Sequence, residues 1–253
     1  MPKKHVVEKN IDERQIESSE MATTQGSVLE KQKDAEFKQQ FVSQQLQQIT
    51  TVALGLKKTD NAATFYKSIV DAKNAGLEED RQNGTFVTKD SKWFGAAIHT
   101  YSEEDYAQMR MFLISPDNEF GVAIKESGDN VSVFKHPATD KSIKAVDILL
   151  PKAIENGGTH LDCFNPILPI LYAKHRMEPI AKVKFNEEFA PENWNFARDG
   201  TPDIIFMVYN KEANPPQDPT LLKELVQKQI SELPYSSYEK AIEKQIFLLK
   251  SKK

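Results

Sequence analysis

The sequence contains almost no cysteine. Cys163 is the only one among 253 residues, so the chain forms no internal disulfide and holds no cysteine-rich zinc site. This scarcity predicts a reducing compartment. The chain also lacks the run of about 18 apolar residues that a membrane helix needs, and its polar N-terminus does not resemble a secretory signal. We therefore expect a cytoplasmic protein without a membrane partner.

The chain also lacks a strong excess of either positive or negative charge. The formal net charge is −4, which gives no general attraction to nucleic acid or anionic lipid, so no nucleic-acid partner is inferred. The histidines His99, His160 and His175 show no ligand spacing with acidic residues, and we predict no metal site. Hydrophobic residues make up 39% and charged residues 28% of the chain, which is typical of a folded core with a well-solvated surface.

The N-terminal third has little β-type patterning. Residues 1–35 are polar and aperiodic, which predicts a disordered arm. Residues 36–90 predict a helical extension, with a Gln-rich amphipathic helix first and a second helix that begins near Asp60 and ends at Gly76. The second helix is followed by a predicted connecting loop.

Residues 91–212 predict a mixed α+β domain with a mostly antiparallel sheet, because short β-rich runs alternate with turn signals. The predicted elements, in chain order, are the strand WFGAAIHTY, the short helix SEEDYAQM, the strands RMFLIS, EFGVAIKE and VSVFKHP, a helix ending at Gly157, the strand THLDCF, the helix PILPILYAKHRM, and the strands EPIAKVKF and DIIFMVYN. The long loop 186–202 is expected to cover a site, with Trp194 either pinning the loop or closing over a ligand. Residues 213–253 predict two amphipathic helices that suit packing or assembly.

The order of these elements resembles the GNAT-type N-acyltransferase fold, most strongly between Val131 and Phe185. In that family a strand leads into a phosphate-binding turn and a helix, a second strand splays away, and the next helix carries a tyrosine. The counterparts here are VSVFKHP, ATDKSIK, HLDCF and LYAKHRM. The phrases VSVFKHP, LYAKH and GTPDIIFMVY also resemble GNAT-like modules of phage and prophage proteins, which implies the host cytoplasm or a virion as the location.

The resemblance implies a ligand and two proton-transfer groups. The ligand would be acetyl-CoA or another acyl-CoA, and the acceptor would bear an amine. Tyr172 would protonate the leaving thiolate, and His136, or an acid of the 187–192 loop, would deprotonate the amine. The ligand-binding groups would be the backbone of Val133, Phe134 and Lys135 for the pantetheine arm, Thr139, Lys141, Ser142 and Lys144 for the phosphates, and Asn165 on the following helix.

The residues themselves allow simpler interpretations. Tyr172 shares a helical stripe with Leu168 and Leu171, which is typical of a core position. Asn165 suits a helix N-cap before Pro166, and Thr139 or Asp140 suits the cap of the preceding helix. Asp162 and Cys163 alternate on one strand and so face opposite sides, with Cys163 expected to be a buried apolar residue.

The predicted phosphate turn departs from the family pattern. The family has a glycine-rich turn there, whereas this chain has no glycine between Gly128 and Gly157. Two functions therefore stay open. One is an acyl-CoA-dependent N-acyltransferase with a degenerate pyrophosphate loop. The other is a non-catalytic GNAT-like binding or assembly module, structural or virion-associated, with a protein partner or self-association through its N- and C-terminal helices.

Overall fold

A computed structural model describes residues 55–83, 95–114 and 117–251. The predicted arm 1–35 and the Gln-rich helix lie outside these ranges. The described residues form an α+β fold in which helices flank two antiparallel sheets, and this class is the one that the sequence predicts. The strands are β1 Leu56–Thr59, β2 Arg110–Ile114, β3 Phe120–Ile124, β4 Asn130–Lys135, β5 His160–Phe164, β6 Met177–Val183 and β7 Ile204–Tyr209.

The sheets have the strand orders β1-β2-β3-β4 and β5-β7-β6, and every ladder within them is antiparallel. Six of these strands and most of the helices are those that the sequence predicts. The helices are α1 Ala62–Asn83, α2 Glu103–Tyr106, α3 Ala145–Glu155, α4 Leu168–Ala173, α5 Phe196–Asp199, α6 Pro219–Glu232 and α7 Tyr238–Ser251, with a 3₁₀ turn at Glu187–Phe189.

The first strand differs from the prediction. Residues 95–101 form a turn and irregular chain, so the predicted strand over 93–101 is wrong within the described part. The sheet takes its edge strand from β1 instead, which pairs with β2 through Leu56 opposite Ile114. Only Leu56 of this four-residue strand is buried, and a single buried apolar residue gives no alternation that a sequence pattern could detect.

The helix α1 continues past its predicted end at Gly76 and runs to Asn83, so the predicted loop is largely helical. Gly95 lies across it with φ +65°, and an added Cβ there would stand 2.4 Å from the backbone nitrogen of Leu77. The chain therefore crosses the helix at a close approach that only glycine allows at residue 95. Tertiary packing outweighs the cost of about 1 kcal/mol for glycine inside a helix.

One face of α1 is part of the domain core. Phe65, Ile69 and Ala72 are buried there, and the ring of Phe65 lies 4.9 Å from that of Tyr106 and 5.7 Å from that of Phe134. The predicted extension over 36–90 thus contributes a strand and a helix to the same sheet and core as the later residues. The T-shaped and tilted ring contacts are favourable aromatic geometries.

The two C-terminal helices cover opposite faces of the second sheet. Leu222 and Val226 of α6 pack with Leu161 on one face, whereas Ala241 of α7 packs with Phe206 on the other. Both helices were predicted, and both bury part of their apolar faces in their own domain. Gln245 of α7 is almost fully buried, and its Nε2 donates to the carbonyl oxygens of Leu161 at 2.9 Å and Met207 at 3.1 Å.

A buried ion cluster joins α1 to α5. Arg198 Nη1 lies 3.1 Å from Asp80 Oδ2, and its Nε lies 2.6 Å from Asp199 Oδ1. Burial raises the pKa of Asp80 to about 6, and Arg198 offsets this effect only in part. Folded protein therefore binds a proton at Asp80 more tightly than unfolded protein does.

This raised pKa predicts a pH-dependent contribution to stability. Between about pH 4 and pH 6 the folded state holds more protons at Asp80, so the contribution is present at low pH and is lost as the pH rises through about 6. The free energy of unfolding of wild type, minus that of Asp80→Asn, should fall over this window and stay constant above it. Urea titrations at several pH values measure the difference, with equal m values as the control. If the free energies of unfolding of wild type and Asp80→Asn change in parallel with pH, the prediction is contradicted.

Candidate ligand cleft

The two sheets meet where β4 and β5 start side by side. Asp129 and His160 form an isolated parallel bridge, and Asn130 Nδ2 donates to the His160 carbonyl oxygen at 3.0 Å. Beyond this point, within the described residues, no ladder joins the strands, which continue in separate sheets. An added Cβ at Gly158 would stand 2.0 Å from Asn130 Oδ1, so a residue without a side chain makes room for this amide. The strands therefore diverge from a hydrogen-bonded origin.

A β-bulge interrupts β4 next to the gap. Gly121 and Ala123 of β3 stand opposite Phe134 and Val131, so β4 carries one extra residue. Ser132 lies in the bulge with φ 54°, and its Oγ is 2.8 Å from Tyr106 Oη. Because an antiparallel ladder pairs alternate residues, the remaining backbone groups of β4 and β5 point into the gap between them.

The gap opens into a cleft of about 2010 Å³. Its walls are β4, β5, the turn before α3, the first residues of α3, and α4, and the start of α7 also reaches it. The cleft brings together eight of the ten residues that the sequence analysis selects, which are Val133, Phe134, Lys135, His136, Thr139, Lys141, Lys144 and Tyr172. Ser142 and Asn165 do not line it.

The position of Tyr172 is compatible both with a core residue and with a proton donor in the cleft. It is only 6% exposed and belongs to the core cluster with Cys163 and Leu222, yet it also lines the cleft. Burial, with smaller contributions from Cys163 and Asp162, raises the pKa of Tyr172 far above its ordinary value. The phenol therefore stays protonated at neutral pH and well above it, so its hydroxyl keeps a proton to donate.

Cys163 is buried, as the sequence predicts. Burial raises the pKa of its thiol well above the ordinary value, with a smaller contribution from Asp162. At neutral pH the group is an unreactive thiol. Its place in the cluster around Tyr172 is that of a small apolar side chain.

The turn between β4 and α3 is held by a lysine. Lys135 Nζ donates to the carbonyl oxygens of Asp140 and Ile143, each at 2.8 Å. Asp140 Oδ1 accepts from the Ser142 backbone N–H at 2.8 Å, and this hydrogen bond holds the pKa of Asp140 below its ordinary value. Lys141 and Lys144 line the cleft from the same turn. The turn thus reaches a compact shape without glycine.

The start of α3 faces the cleft without a side-chain cap. Lys144 occupies the N-cap position and makes no capping hydrogen bond, so the prediction that Thr139 or Asp140 caps this helix is wrong. The backbone N–H groups of a first turn attract anions. Thr139 is almost fully buried at the cleft wall, and its hydroxyl has no hydrogen-bond partner in the described structure.

Asp147, the acidic residue in the first turn of α3, is paired with two basic side chains. Asp147 accepts from Lys174 Nζ at 2.7 Å and lies 2.9 Å from His175 Nε2. Burial acts to raise the pKa of Asp147, but the hydrogen bonds from His175 and Lys174 outweigh it and hold the pKa below its ordinary value. These contacts also fasten α4 to α3 beside the cleft.

Three predicted site residues have local structural roles. His136 Nδ1 accepts from the Ala138 backbone N–H at 3.1 Å, so Nε2 carries the proton in the neutral ring. Ser142 is exposed, and its backbone N–H donates to Asp140 Oδ1 at 2.8 Å. Asn165 does not cap α4, because that helix begins at Leu168 with Ile167 in the N-cap position.

The loop after β6 is pinned to the domain. Trp194 is largely buried, with its ring 5.1 Å from that of Phe164 and 5.4 Å from that of Phe185. Its Nε1 donates to the Gly200 carbonyl oxygen at 2.9 Å. Of the two roles considered for Trp194, these contacts support the pinning role.

The structure adds a polar group to the cleft that the sequence analysis did not select. Asp162 opens to the cleft from β5, and its Oδ2 accepts from Tyr238 Oη at 2.9 Å. His99 and Tyr101 line the same region, with their rings 4.7 Å apart. Tyr238 comes from α7, 76 residues along the chain, so no local pattern could have indicated the pair.

Within the described residues there is no group of three or more His, Cys, Asp or Glu side chains that could hold a metal ion. None of the helices described is both long enough and apolar enough to cross a membrane. No family model, curated protein or solved structure matches this chain.

Proposed function

We propose that the protein binds an acyl-coenzyme A in the cleft between β4 and β5 and transfers the acyl group to an amine, as a GNAT-like N-acyltransferase. The observation that carries this proposal is the divergence of β4 and β5 from the Asn130 to His160 hydrogen bond. Diverging strands leave backbone groups facing a gap, and an extended amide-bearing arm can hydrogen-bond to them as a strand would.

The two ends of the cleft suit the two ends of such a ligand. Lys141 and Lys144 supply positive charge beside the uncapped start of α3, and the unpartnered Thr139 hydroxyl can donate to a phosphate oxygen. His136 belongs to this end and can donate through Nε2. Tyr172 lies on the neighbouring helix, where a protonated phenol can protonate the departing thiolate.

Binding of acetyl-CoA tests the proposal. At a hundredfold excess over Kd, acetyl-CoA should stabilise the protein by about 2.7 kcal/mol, measured as a thermal shift or by calorimetry. Lys141→Ala with Lys144→Ala should weaken acetyl-CoA by at least about tenfold but leave acetyl-pantetheine, which has no phosphates, nearly unchanged. Lys152→Ala on helix α3, outside the cleft lining, is the control for loss of a nearby positive charge. Absence of any shift at millimolar acetyl-CoA would reject the proposal.

A non-catalytic binding or assembly module is the second candidate. The turn 138–144 has no glycine, and several apolar side chains of α6 and α7 are exposed, among them Leu221, Ile246 and Phe247. This function predicts that Phe247→Asp lowers the oligomeric mass measured by light scattering without changing the fold. A monomeric wild-type protein would count against it.

A further inference from the structure

We propose that Asp162 receives the acceptor, which is a primary alkylammonium group, and takes the proton that its nitrogen must lose before it attacks. This inference rests on the proposed function. It assigns the acceptor side of the cleft, for which the sequence analysis offers His136 or an acid of the 187–192 loop.

The first argument is the side of β5 from which Asp162 projects. Leu161 and Cys163 face the core cluster that contains Tyr172, and side chains alternate along a strand. Asp162 therefore faces the opposite side, with its cross-strand neighbour Phe206 and the start of α7. A thioester lying in the gap would have the phenol of Tyr172 on one side and the carboxylate of Asp162 on the other.

The second argument is that Asp162 has no cation of its own. Its side-chain hydrogen-bond partner is the neutral Tyr238 hydroxyl, and it forms no ion pair among the described residues. The nearby carboxylate of Asp129 differs, because Lys125 Nζ lies 3.0 Å from it. A carboxylate that opens to a cleft without a basic partner is suited to bind a cation supplied by a ligand.

The third argument is the surrounding wall. His99, Tyr101 and Tyr238 also line the cleft, and the Tyr101 ring already has Lys125 Nζ at 5.0 Å from its centre. Aromatic faces attract alkylammonium groups and pack against their methylene chains. His136 is a poorer candidate for the base, because its Nδ1 already accepts a backbone hydrogen bond and it lies beside the basic turn.

The charges around Asp162 agree with a base. Asp162 is exposed at the cleft surface, yet the surrounding protein removes enough water to raise the pKa of its carboxyl; the Tyr238 hydrogen bond opposes the rise, and Asp129 adds to it while Lys125 opposes it. The charge of Asp162 also raises the pKa values of Tyr238, Cys163 and Tyr172, and it opposes the lowering of the pKa at His99 and His160. A raised pKa of the carboxyl group lies closer to the pKa of an amine, which makes proton transfer from the ammonium group less unfavourable.

The proton balance of the step is complete. The ammonium gives one proton to Asp162, and the neutral nitrogen forms the C–N bond as the C–S bond breaks. The sulfur takes the proton of the Tyr172 phenol. The second proton that the nitrogen loses restores the phenol, and Asp162 releases its proton to solvent.

The test titrates butylamine into the full chain without any coenzyme and follows amide chemical shifts by NMR. Asp162→Asn should weaken butylammonium by at least about tenfold, as expected for loss of a charge-assisted hydrogen bond. Binding of butanol, an uncharged probe of the same length, should be equal in the two proteins. Asp129→Asn should retain butylammonium within about threefold, because that carboxylate is already paired with Lys125.

The outcomes separate this inference from the proposed function. Equal butylammonium affinity in wild type and Asp162→Asn overturns the inference, even if acetyl-CoA binds. Specific butylammonium binding without any acetyl-CoA binding keeps the amine site and rejects the acyltransferase. If Asp162→Asn does not fold, wild-type protein is measured instead at a pH below the pKa of Asp162, where the fold is still intact. Loss of butylammonium binding there supports the inference. Unchanged binding there overturns it.

Discussion

Replacing Tyr172 with phenylalanine is expected to lower kcat for acyl transfer to a primary amine by about 10²- to 10⁴-fold, the usual contribution of a positioned general acid. The phenol is protonated at neutral pH, as an ordinary tyrosine is, and it lines the cleft from α4. Phenylalanine keeps the ring in the core cluster, so acetyl-CoA affinity and the melting temperature should change little. Steady-state kinetics together with coenzyme titration measure the two effects separately.

The matched control is Tyr209→Phe. Tyr209 packs against the same core cluster but does not line the cleft, so the identical chemical change there should leave kcat unaltered. If Tyr172→Phe instead keeps its kcat, Tyr172 is a core residue alone. If it loses stability and kcat together, the ring packing rather than the hydroxyl explains the effect.

Replacing Phe65 with alanine is expected to lower the free energy of unfolding by about 3–5 kcal/mol. Phe65 is 0% exposed and contacts the rings of Tyr106 and Phe134, so truncation leaves a cavity between α1 and the first sheet. Urea unfolding measures the loss. The expected size reflects the position of α1 inside the domain rather than in an appended extension.

The control for this substitution is Phe247→Ala. Phe247 is 70% exposed on α7, so the same truncation should change the free energy of unfolding by no more than about 0.5 kcal/mol. Equal effects at the two positions would show that α1 does not pack as described. A larger effect at Phe247 would indicate that this side chain is covered in solution, which is what the assembly function requires.

Several elements were predictable because their signals are local. Ser102 begins α2 with a capping box, and Asp218 before Pro219 caps α6, as their residue types indicate. Strands β2 to β4 follow from short apolar runs between turn signals. The helix α1 was mispredicted at Gly76 because its continuation depends on the chain that crosses it at Gly95.

The cleft was predictable only where Tyr172, Lys141 and Lys144 line it. Tyr172, Lys141 and Lys144 were selected from the order of elements between Val131 and Phe185, and the structure brings them to one cleft. The role of Asn130 in starting the divergence was not predictable, because its hydrogen bond joins residues that are 30 apart. The helix caps suggested for Thr139 and Asn165 were wrong, since both helices begin several residues later.

Short-range patterns thus specify strands β2 to β7, most of the described helices and the α+β class, since hydrophobic period, caps and turn residues act over a few positions. The three-dimensional packing settles how β1 closes the first sheet, where β4 and β5 part, and which groups share the cleft. Those features depend on pairs such as Asp162 with Tyr238, which are distant in the chain and become neighbours only when helices and sheets bury their apolar faces together.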